Sequence, residues 1–288
     1  MKLLRHGPKG HERPALLDAD GQLRDLSGVV ADLRAESLTP ASLARLRQID
    51  PHSLPQVDTP GRIGLPWAGC GKFVAVGLNY ADHAAEAGMP VPKEPVLFMK
   101  ATSCMVGACD AVVLPQGSTK SDWEVELGIV IGSTARYVTE ADALQHVAGY
   151  CVVNDLSERE YQLERGGTWD KGKSCDTFGP VGPWLVTTDE LPDPQNLGLW
   201  LDLNGRRMQT GSTRTMVFGV AALVAYISRF MTLYPGDLIT TGTPPGVGLG
   251  VKPEPLFLKP GDCMHLGIDG LGEQRQTVHA WDASLLAS

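Results

Sequence analysis

The segment at residues 122–131, DWEVELGIVI, constrains the fold most, because it joins acidic residues to an uninterrupted apolar run. Such a run is typical of a strand that is buried on both faces. Residues two apart in a strand share a face, so Glu124 and Glu126 project together while Val125 and Leu127 turn to the core. Neighbouring buried carboxylates need a cation or a shared proton. A solvated strand face is the alternative, and it is the more frequent one for an arbitrary pair of this kind.

A second apolar segment, residues 150–153, ends in Asn154 and Asp155. An aspartate at the end of a strand often caps a turn, and that interpretation stays open. Together with Glu124 and Glu126, Asp155 would complete a site of three carboxylates that includes no Cys or His ligand. Such a hard, all-oxygen donor set suits Mg²⁺ or Mn²⁺, with water molecules in the remaining positions, and it suits zinc poorly.

Short apolar or alternating segments, separated by Gly, Pro and Asp, dominate the chain after residue 72. They predict strands at residues 73–76, 96–99, 125–131, 149–154, 184–187, 199–203 and 237–241. Helical patterns are fewer and cover residues 80–87, 140–146 and 215–230. Many strands at irregular spacing with few helices predict a mainly β protein with some α (class α+β), built as a barrel, roll or sandwich rather than from βαβ units.

The first 66 residues have a different pattern and predict a small N-terminal α+β domain that ends in a linker. Residues 14–26 form two apolar runs around the turn DADG, which is typical of a hairpin. Thr39 followed by Pro40 predicts the start of a helix that continues to Ile49. Residues 51–66 are rich in Pro and Gly, as linkers are. We therefore predict a second, catalytic domain at residues 67–288.

Charge and composition exclude several classes of partner. A net charge of −8 argues against a surface for nucleic acid or acidic membranes, whereas a local cation can still attract an anionic substrate. The most apolar stretch, residues 216–227, is too short to span a bilayer, and the first ten residues lack the apolar run of a signal peptide. Six scattered cysteines without a C-x-x-C pair indicate free thiols. These features predict a cytoplasmic protein.

Two further patterns could carry chemistry. His83 and Glu86 are three apart, so on a helix they share a face, and a carboxylate that orients an imidazole can activate water. Lys173 could be held beside the metal, and the glycine-rich turn at residues 241–248 could offer backbone N–H groups to a substrate carboxylate. An exposed helical pair, a surface lysine and a plain turn are the respective alternatives.

Six motifs in a fixed order resemble the fumarylacetoacetate hydrolase superfamily, from about residue 72 to the C-terminus. They are VGLNYADHAAE at 76–86, PVLFMK at 95–100, EVELGIVIG at 124–132, DLSEREYQ at 155–162, GKS at 172–174 and GDLITTGTPPGVG at 236–248. The resemblance implies a mixed β-sandwich roll that forms a homodimer or higher homo-oligomer. It also implies that Glu124, Glu126 and Asp155 bind Mg²⁺ or Mn²⁺.

The resemblance further implies roles for residues around the metal. His83 and Glu86 match a water-activating dyad on a short lid, and Lys173 matches a residue that contacts the oxo-acid end of the substrate and stabilises its enolate. The remaining expected substrate contacts are Arg159, Gln162, Lys100 and Thr243. The implied reaction is hydrolysis of a C–C bond in a small 2,4-dioxo acid, with release of pyruvate.

Two departures narrow the resemblance to a subgroup. Leu78 stands where acylpyruvases often carry an arginine, and the loop at residues 164–172 also differs from theirs. Loop and N-terminal unit look like those of a bacterial branch that includes 2,4-diketo-3-deoxy-sugar-acid hydrolases and proteins labelled ureidoglycolate lyases. The expected substrate is then 2,4-diketo-3-deoxy-L-rhamnonate or -L-fuconate, which would place the enzyme in sugar-acid catabolism, with L-lactate as the second product. Oxaloacetate decarboxylation, ureidoglycolate cleavage and non-catalytic binding on the same fold are the alternatives.

Overall fold

The computed structural model describes residues 1–86 and 90–286, apart from the side chains of residues 83–85. The strands are β1 (Lys2–His6), β2 (Arg13–Leu17), β3 (Leu23–Asp25), β4 (Phe73–Gly77), β5 (Val96–Lys100), β6 (Met105–Gly107), β7 (Val112–Val113), β8 (Ser121–Asp122), β9 (Val125–Ile131), β10 (Val147–Asn154), β11 (Ser157–Glu158), β12 (Gly179–Thr187), β13 (Gly198–Leu203), β14 (Arg206–Ser212), β15 (Leu238–Thr240), β16 (Cys263–Ile268) and β17 (Gly272–His279). The α-helices are α1 (Pro40–Leu46), α2 (Ala81–Glu86), α3 (Glu140–Ala143), α4 (Arg159–Leu163), α5 (Asp170–Lys173) and α6 (Val220–Ile227).

The strands form two large mixed sheets, which confirms the predicted mainly β class with some α. The ten-stranded sheet has the order β3-β2-β1-β12-β10-β9-β15-β4-β5, with β6 paired to β12. The five-stranded sheet has the order β14-β13-β16-β17-β7, and β8 pairs with β11 in a separate two-stranded ribbon. Neighbouring strands are often far apart in sequence, so long-range pairing holds most of the fold together.

Strand β9 lies inside the large sheet, between β10 and β15, and every residue in it is buried. Val125, Leu127 and Ile129 belong to the larger apolar core, which also contains side chains of the five-stranded sheet and α6. Val130 faces the other way, into a second core that includes side chains of the N-terminal segment. The alternation follows from the two-residue period of a strand. The prediction of a strand buried on both faces is confirmed.

The N-terminal elements match their predictions in kind. Strands β2 and β3 pair in antiparallel fashion, and α1 begins at Pro40 after Thr39, whose side chain accepts a hydrogen bond from the Ser42 N–H at 3.3 Å. Strand β1 also pairs with β12, with Leu3 opposite Leu185. The N-terminal segment therefore extends the ten-stranded sheet. The predicted boundary at residue 66 divides the sequence, but strands from both sides of it belong to this one sheet.

Helix α6 is shorter than the prediction of 215–230, because it starts only at Val220. The preceding residues form a 3₁₀ turn at Thr213–Thr215, and Gly219 lies in extended backbone. The Gln195 side chain accepts a hydrogen bond from the Val220 N–H at 2.6 Å and so satisfies a free donor of the first turn. No described helix has the length and apolar character needed to cross a membrane.

A fragment of residues 67–288 tests how far the N-terminal segment is part of the same structure. We expect this fragment to aggregate or to lose cooperative unfolding, because it would expose the edge of β12 and the core face that Leu3, Leu16 and Leu43 cover. Circular dichroism with thermal unfolding, compared with the full chain, measures the effect. A soluble fragment that unfolds as cooperatively as the full chain would contradict this account.

Candidate functional site

The pairing of β9 with β10 brings the three predicted metal ligands together. Val125 lies opposite Asn154, so the antiparallel register places Glu124 opposite Asp155, whose N–H donates to the Glu124 carbonyl at 2.9 Å. One carboxylate oxygen from each of Glu124, Glu126 and Asp155 lies within 4.8 Å of those of the other two, and all three residues are buried. The alternative of a solvated strand face is therefore wrong for this pair of glutamates.

Two buried lysines neutralise part of this acidic cluster. The Lys173 Nζ lies 2.6 Å from Glu124 Oε2 and 2.8 Å from Asp155 Oδ2, and the Lys100 Nζ lies 2.6 Å from Asp155 Oδ1. Both lysines are 2 % exposed. Burial alone would lower the pKa of Lys173, but the carboxylates of Asp155 and Glu124 raise it overall. Lys173 therefore remains a cation inside the site.

Helix α5 reaches the site because a glycine permits close packing. A Cβ on Gly172 would lie 2.4 Å from the Glu158 carbonyl oxygen and 2.6 Å from the Gln162 Cβ, distances that side chains do not tolerate. The residue after Gly172 is Lys173, so this contact between α5 and α4 directs the lysine to the carboxylates. Lys173 is the last residue of this short helix.

Helix α4 supplies the predicted substrate contacts Arg159 and Gln162. The Arg159 Nη2 donates to Glu124 Oε1 at 2.7 Å, and its Nη1 donates to the Gln162 side-chain oxygen at 2.9 Å. Burial opposes the charge of this guanidinium, but the carboxylates of Asp122 and Glu124 outweigh that effect and raise the pKa of Arg159. Arg159 is therefore a fixed cation at the edge of the carboxylate cluster.

Within the described part of the chain, one carboxylate of the cluster lacks the cationic partner that the others have. Four buried carboxylates (Asp122, Glu124, Glu126, Asp155) adjoin three buried cationic side chains (Lys100, Arg159, Lys173). Among the described residues, no cationic group lies within 4 Å of Glu126, which accepts a hydrogen bond from the Gly242 N–H at 2.9 Å. Burial, followed by the charges of Asp155 and Glu124, raises the pKa of Glu126 well above its usual range. A carboxyl group without a cationic partner, beside two further carboxylates, is an all-oxygen donor set that suits Mg²⁺ or Mn²⁺ in place of the proton.

The glycine-rich turn serves the protein's own carboxylates. Its N–H groups donate to Glu126 from Gly242, to Glu86 from Gly246 and to Asp122 from Gly248, and the next residue, Leu249, also donates to Asp122. The sequence predicted that this turn could offer such groups to a substrate carboxylate. These four N–H groups are instead used within the protein, so the turn supports the site by holding three acidic side chains in place.

Two other predicted substrate contacts have partners that indicate supporting roles. The Thr243 hydroxyl donates to the Val125 carbonyl at 2.9 Å and accepts from the Gln209 side chain at 2.8 Å. Lys100 lies behind Asp155 and donates to the Leu156 carbonyl at 3.2 Å, away from the walls of the two cavities described below. For Lys100 the geometry favours neutralisation of Asp155 over contact with a substrate.

The predicted lid is helix α2, which follows β4. Asp82 accepts a hydrogen bond from the Thr215 hydroxyl at 3.3 Å, and the Glu86 carboxylate accepts from the Gly246 N–H at 3.1 Å. His83 lies on this helix, but its side chain is outside the part that the structure describes. The contact between His83 and Glu86 therefore stays a prediction.

An inner cavity at the carboxylate cluster adjoins an outer cavity. The inner one, of about 60 Å³, is lined by Glu124, Glu126, Lys173, Phe98, Gly242 and Thr243 among others. The outer one, of about 270 Å³, is lined by Leu163, Val247, Leu249, Gly250, Lys252 and Glu86. Leu78, Arg159, Gln162 and Trp169 line both. A small polar chamber thus opens into a larger chamber with mostly apolar walls.

Leu78 occupies an unusual backbone conformation where the two cavities meet. Its φ of +53° lies in the left-handed region, which a leucine rarely adopts. The next residue, Asn79, anchors this turn, because its side-chain amide donates to the carbonyls of Phe218 and Thr241 at 3.0 and 2.8 Å. Strained residues concentrate at functional sites, which agrees with the position of Leu78 in the cavity wall.

Asp122 is a member of the cluster that the sequence analysis passed over. It is fully buried, and it contacts both Arg159 and the glycine-rich turn. The sequence did contain an indication of this role. Asp122 lies two residues before Glu124, so in an extended chain both side chains point to the same side.

The raised pKa of Glu126 predicts how the stability of the metal-free protein depends on pH. In a chelator, the folded protein retains a proton that the unfolded chain releases above its ordinary pKa of 4.5. The corresponding stability is present below that pH and is lost as the pH rises through the folded pKa. Glu126→Gln should lack this loss. Urea unfolding of both proteins at a series of pH values measures it, and an identical pH dependence would refute the assignment.

Comparison with known proteins agrees with this geometry. The family model described as fumarylacetoacetate (FAA) hydrolase C-terminal matches residues 72–279. A provisionally named hydrolase of Burkholderia ambifaria is 65% identical to this chain over 278 residues. The alignment covers 96% of this chain and 99% of that protein. The match therefore includes the N-terminal segment as well as the site.

Solved structures are similar over the whole chain. The fumarylacetoacetate hydrolase of Exiguobacterium antarcticum is 35% identical with a TM-score of 0.85, covering 98% of this chain and 100% of that one. The maleylpyruvate hydrolase of Sphingobium sp. SYK-6, in complex with manganese(II) and pyruvate, is 28% identical with a TM-score of 0.81 and the same coverage. A 2-hydroxyhepta-2,4-diene-1,7-dioate isomerase of Mycobacterium marinum is 31% identical with a TM-score of 0.75, covering 97% and 98%. The chain belongs to the fumarylacetoacetate hydrolase superfamily.

Proposed function

We propose that the protein is a metal-dependent hydrolase that cleaves a C–C bond of a 2,4-dioxo acid and releases pyruvate. The observation that carries this proposal is the buried cluster of Glu124, Glu126 and Asp155, which adjoins Lys173 and opens into a cavity. The maleylpyruvate hydrolase that holds manganese and pyruvate on a similar fold supports it.

Glu124, Glu126 and Asp155 would hold Mg²⁺ or Mn²⁺ through their carboxylate oxygens. When bound, the cation supplies Lewis-acid polarisation and orientation of the carboxylate and 2-oxo groups of the substrate. Lys173, Arg159 and Gln162 surround the same inner cavity. We assign them to the oxo-acid end, where a fixed guanidinium and an ammonium attract its negative charge.

Glu86 and His83 would activate the water molecule. Glu86 lines the outer cavity together with Arg159 and Gln162. We assign the C4 carbonyl of the substrate to that cavity. The dyad takes a proton from water while the oxygen attacks C4. The adduct then collapses, the C3–C4 bond breaks, and its electron pair forms the enolate of pyruvate. Lys173 stabilises that charge, and protonation at C3 gives pyruvate plus the second acid.

The outer cavity indicates which group lies beyond C4. Its walls include Leu163, Val247 and Leu249, together with Leu78 and Trp169. The ring of Trp169 also packs edge-on against Phe98, with centroids 5.3 Å apart. Such walls favour a wholly apolar acyl group over the 1-hydroxyethyl group of the substrate that the subgroup resemblance implies, because a buried hydroxyl group needs a hydrogen-bond partner.

A panel of 2,4-dioxo acids tests the reaction. We expect Mg²⁺- or Mn²⁺-dependent release of one pyruvate and one carboxylic acid, activity that disappears with chelator, and higher kcat/KM for apolar acylpyruvates than for 2,4-diketo-3-deoxy-L-rhamnonate. Identification of both products by mass spectrometry separates the alternatives. Formation of CO₂ and pyruvate from oxaloacetate, or of urea from ureidoglycolate, at higher kcat/KM than any dioxo acid would overturn the proposal.

Substitutions on α2 test the water-activating dyad. His83→Ala and Glu86→Gln should each lower kcat about 10²–10⁴-fold, the range of general-base catalysis, without weakening the binding of Mn²⁺. Glu94→Gln is the matched control, since Glu94 contacts Tyr226 at 2.9 Å and lines neither of these cavities. Full turnover in His83→Ala would remove the dyad from the mechanism.

A further inference from the structure

Asp122 has no role in the reaction above, yet its carboxylate accepts hydrogen bonds from four donors. It lies on β8, where it pairs with Ser157 of β11, and it is fully buried. Its Oδ1 accepts from the N–H groups of Trp123 at 2.8 Å and Gly248 at 2.6 Å. Its Oδ2 accepts from the Leu249 N–H at 3.0 Å and the Arg159 Nε at 2.8 Å.

These contacts connect two walls of the outer cavity. Leu249 belongs to the wall that follows the glycine-rich turn, and Arg159 begins the helix α4 that forms another wall. Both bind the same oxygen of Asp122. The Asp122 carboxylate therefore fixes the distance between the Arg159 side chain and the backbone at Leu249.

The guanidinium of Arg159 is held in three directions. Its Nε binds Asp122, its Nη2 binds Glu124 at 2.7 Å, and its Nη1 binds Gln162 at 2.9 Å. A guanidinium is a rigid planar fork, so a fixed Nε determines where both terminal nitrogens point. Without Asp122, Glu124 would be the remaining carboxylate partner of Arg159 among the described residues.

We infer that Asp122 is a positioning residue that fixes the Arg159 guanidinium against the oxo-acid end of the substrate and ties it to the loop at Leu249. This inference rests on the proposed function, since it takes Arg159 as a substrate contact. Asp122 itself is not among the residues that line the inner or the outer cavity. Its effect on binding passes through Arg159.

A double-mutant cycle of Asp122→Asn and Arg159→Met tests this dependence. In the wild-type background, Asp122→Asn should lower kcat/KM roughly 10–100-fold, mainly through KM, as removal of groups that orient functional side chains does. In the Arg159→Met background the same substitution should change kcat/KM less than about threefold. Equal, additive losses in both backgrounds would show that Asp122 acts by general structural support and would overturn the inference.

Glu158→Gln is the matched control. Glu158 is also a fully buried carboxylate on the β8–β11 ribbon, but it binds Ser121 at 2.9 Å and the Glu160 N–H at 3.1 Å instead of Arg159. The variant changes a carboxylate to an amide beside the same helix, and it should leave KM within about threefold of the wild-type value. A KM increase equal to that of Asp122→Asn would also overturn the inference.

A binding measurement separates this inference from the proposed function. Calorimetry of the Mn²⁺-loaded protein with pyruvate repeats the cycle without turnover, so it remains informative if no dioxo acid is cleaved. Asp122→Asn should weaken pyruvate binding roughly 10–100-fold only when Arg159 is present.

If the variant does not fold, arginine-selective NMR of the wild-type protein should show separate Nη–H signals for Arg159, identified by their loss in Arg159→Met. A rapidly rotating, averaged guanidinium would contradict the inference.

Discussion

The burial of four carboxylates at one end of the large sheet is the constraint on which the rest of the site depends. An isolated buried carboxylate is strongly destabilising unless it gains a cation, a proton or several hydrogen bonds. Each of these solutions is present. Lys173 lies between Glu124 and Asp155, and Arg159 lies between Asp122 and Glu124. Glu126 has a raised pKa and accepts a hydrogen bond from the Gly242 N–H. Because no cationic side chain among the described residues pairs with Glu126, a divalent cation can supply the missing positive charge.

The second support of the site is the backbone of the glycine-rich turn. Its N–H groups reach acidic residues from three different elements, namely Glu126 of β9, Glu86 of α2 and Asp122 of β8. Gly246 is required there, since its φ is +103° and an added Cβ would lie 1.9 Å from the Met208 carbonyl oxygen. The same turn thus contacts the carboxylate cluster, helix α2 and a wall of the outer cavity, so a displacement of one of them would also shift the others.

Local patterns in the sequence predicted much of this arrangement. The bounds of β9 were predicted to the residue, and the hairpin, the cap at Thr39 and the acidic cluster followed from spacing and residue type. The pairing of β1 with β12 could not be predicted, because it joins residues far apart in the chain.

Strand β17 was missed for a different reason. Its buried positions include Gln274 and Gln276, whose amides bond to backbone carbonyls such as those of Val152 and Ala108, so the usual alternation of apolar and polar residues is absent. The role of Asp122 depends on contacts with α4 and the turn, which only the folded chain brings together.

The most direct test of this account is the anomalous diffraction of a crystal of the protein grown with Mn²⁺. The account predicts a manganese peak bounded by the carboxylates of Glu124, Glu126 and Asp155, and loss of that peak in Glu126→Gln. A second group, made of the buried Asp18 with the exposed Asp20 and His52, could also hold a metal ion, although Asp18 already binds Arg24 at 2.7 Å. A peak at that group alone, or no peak at the buried carboxylates, would contradict the central claim.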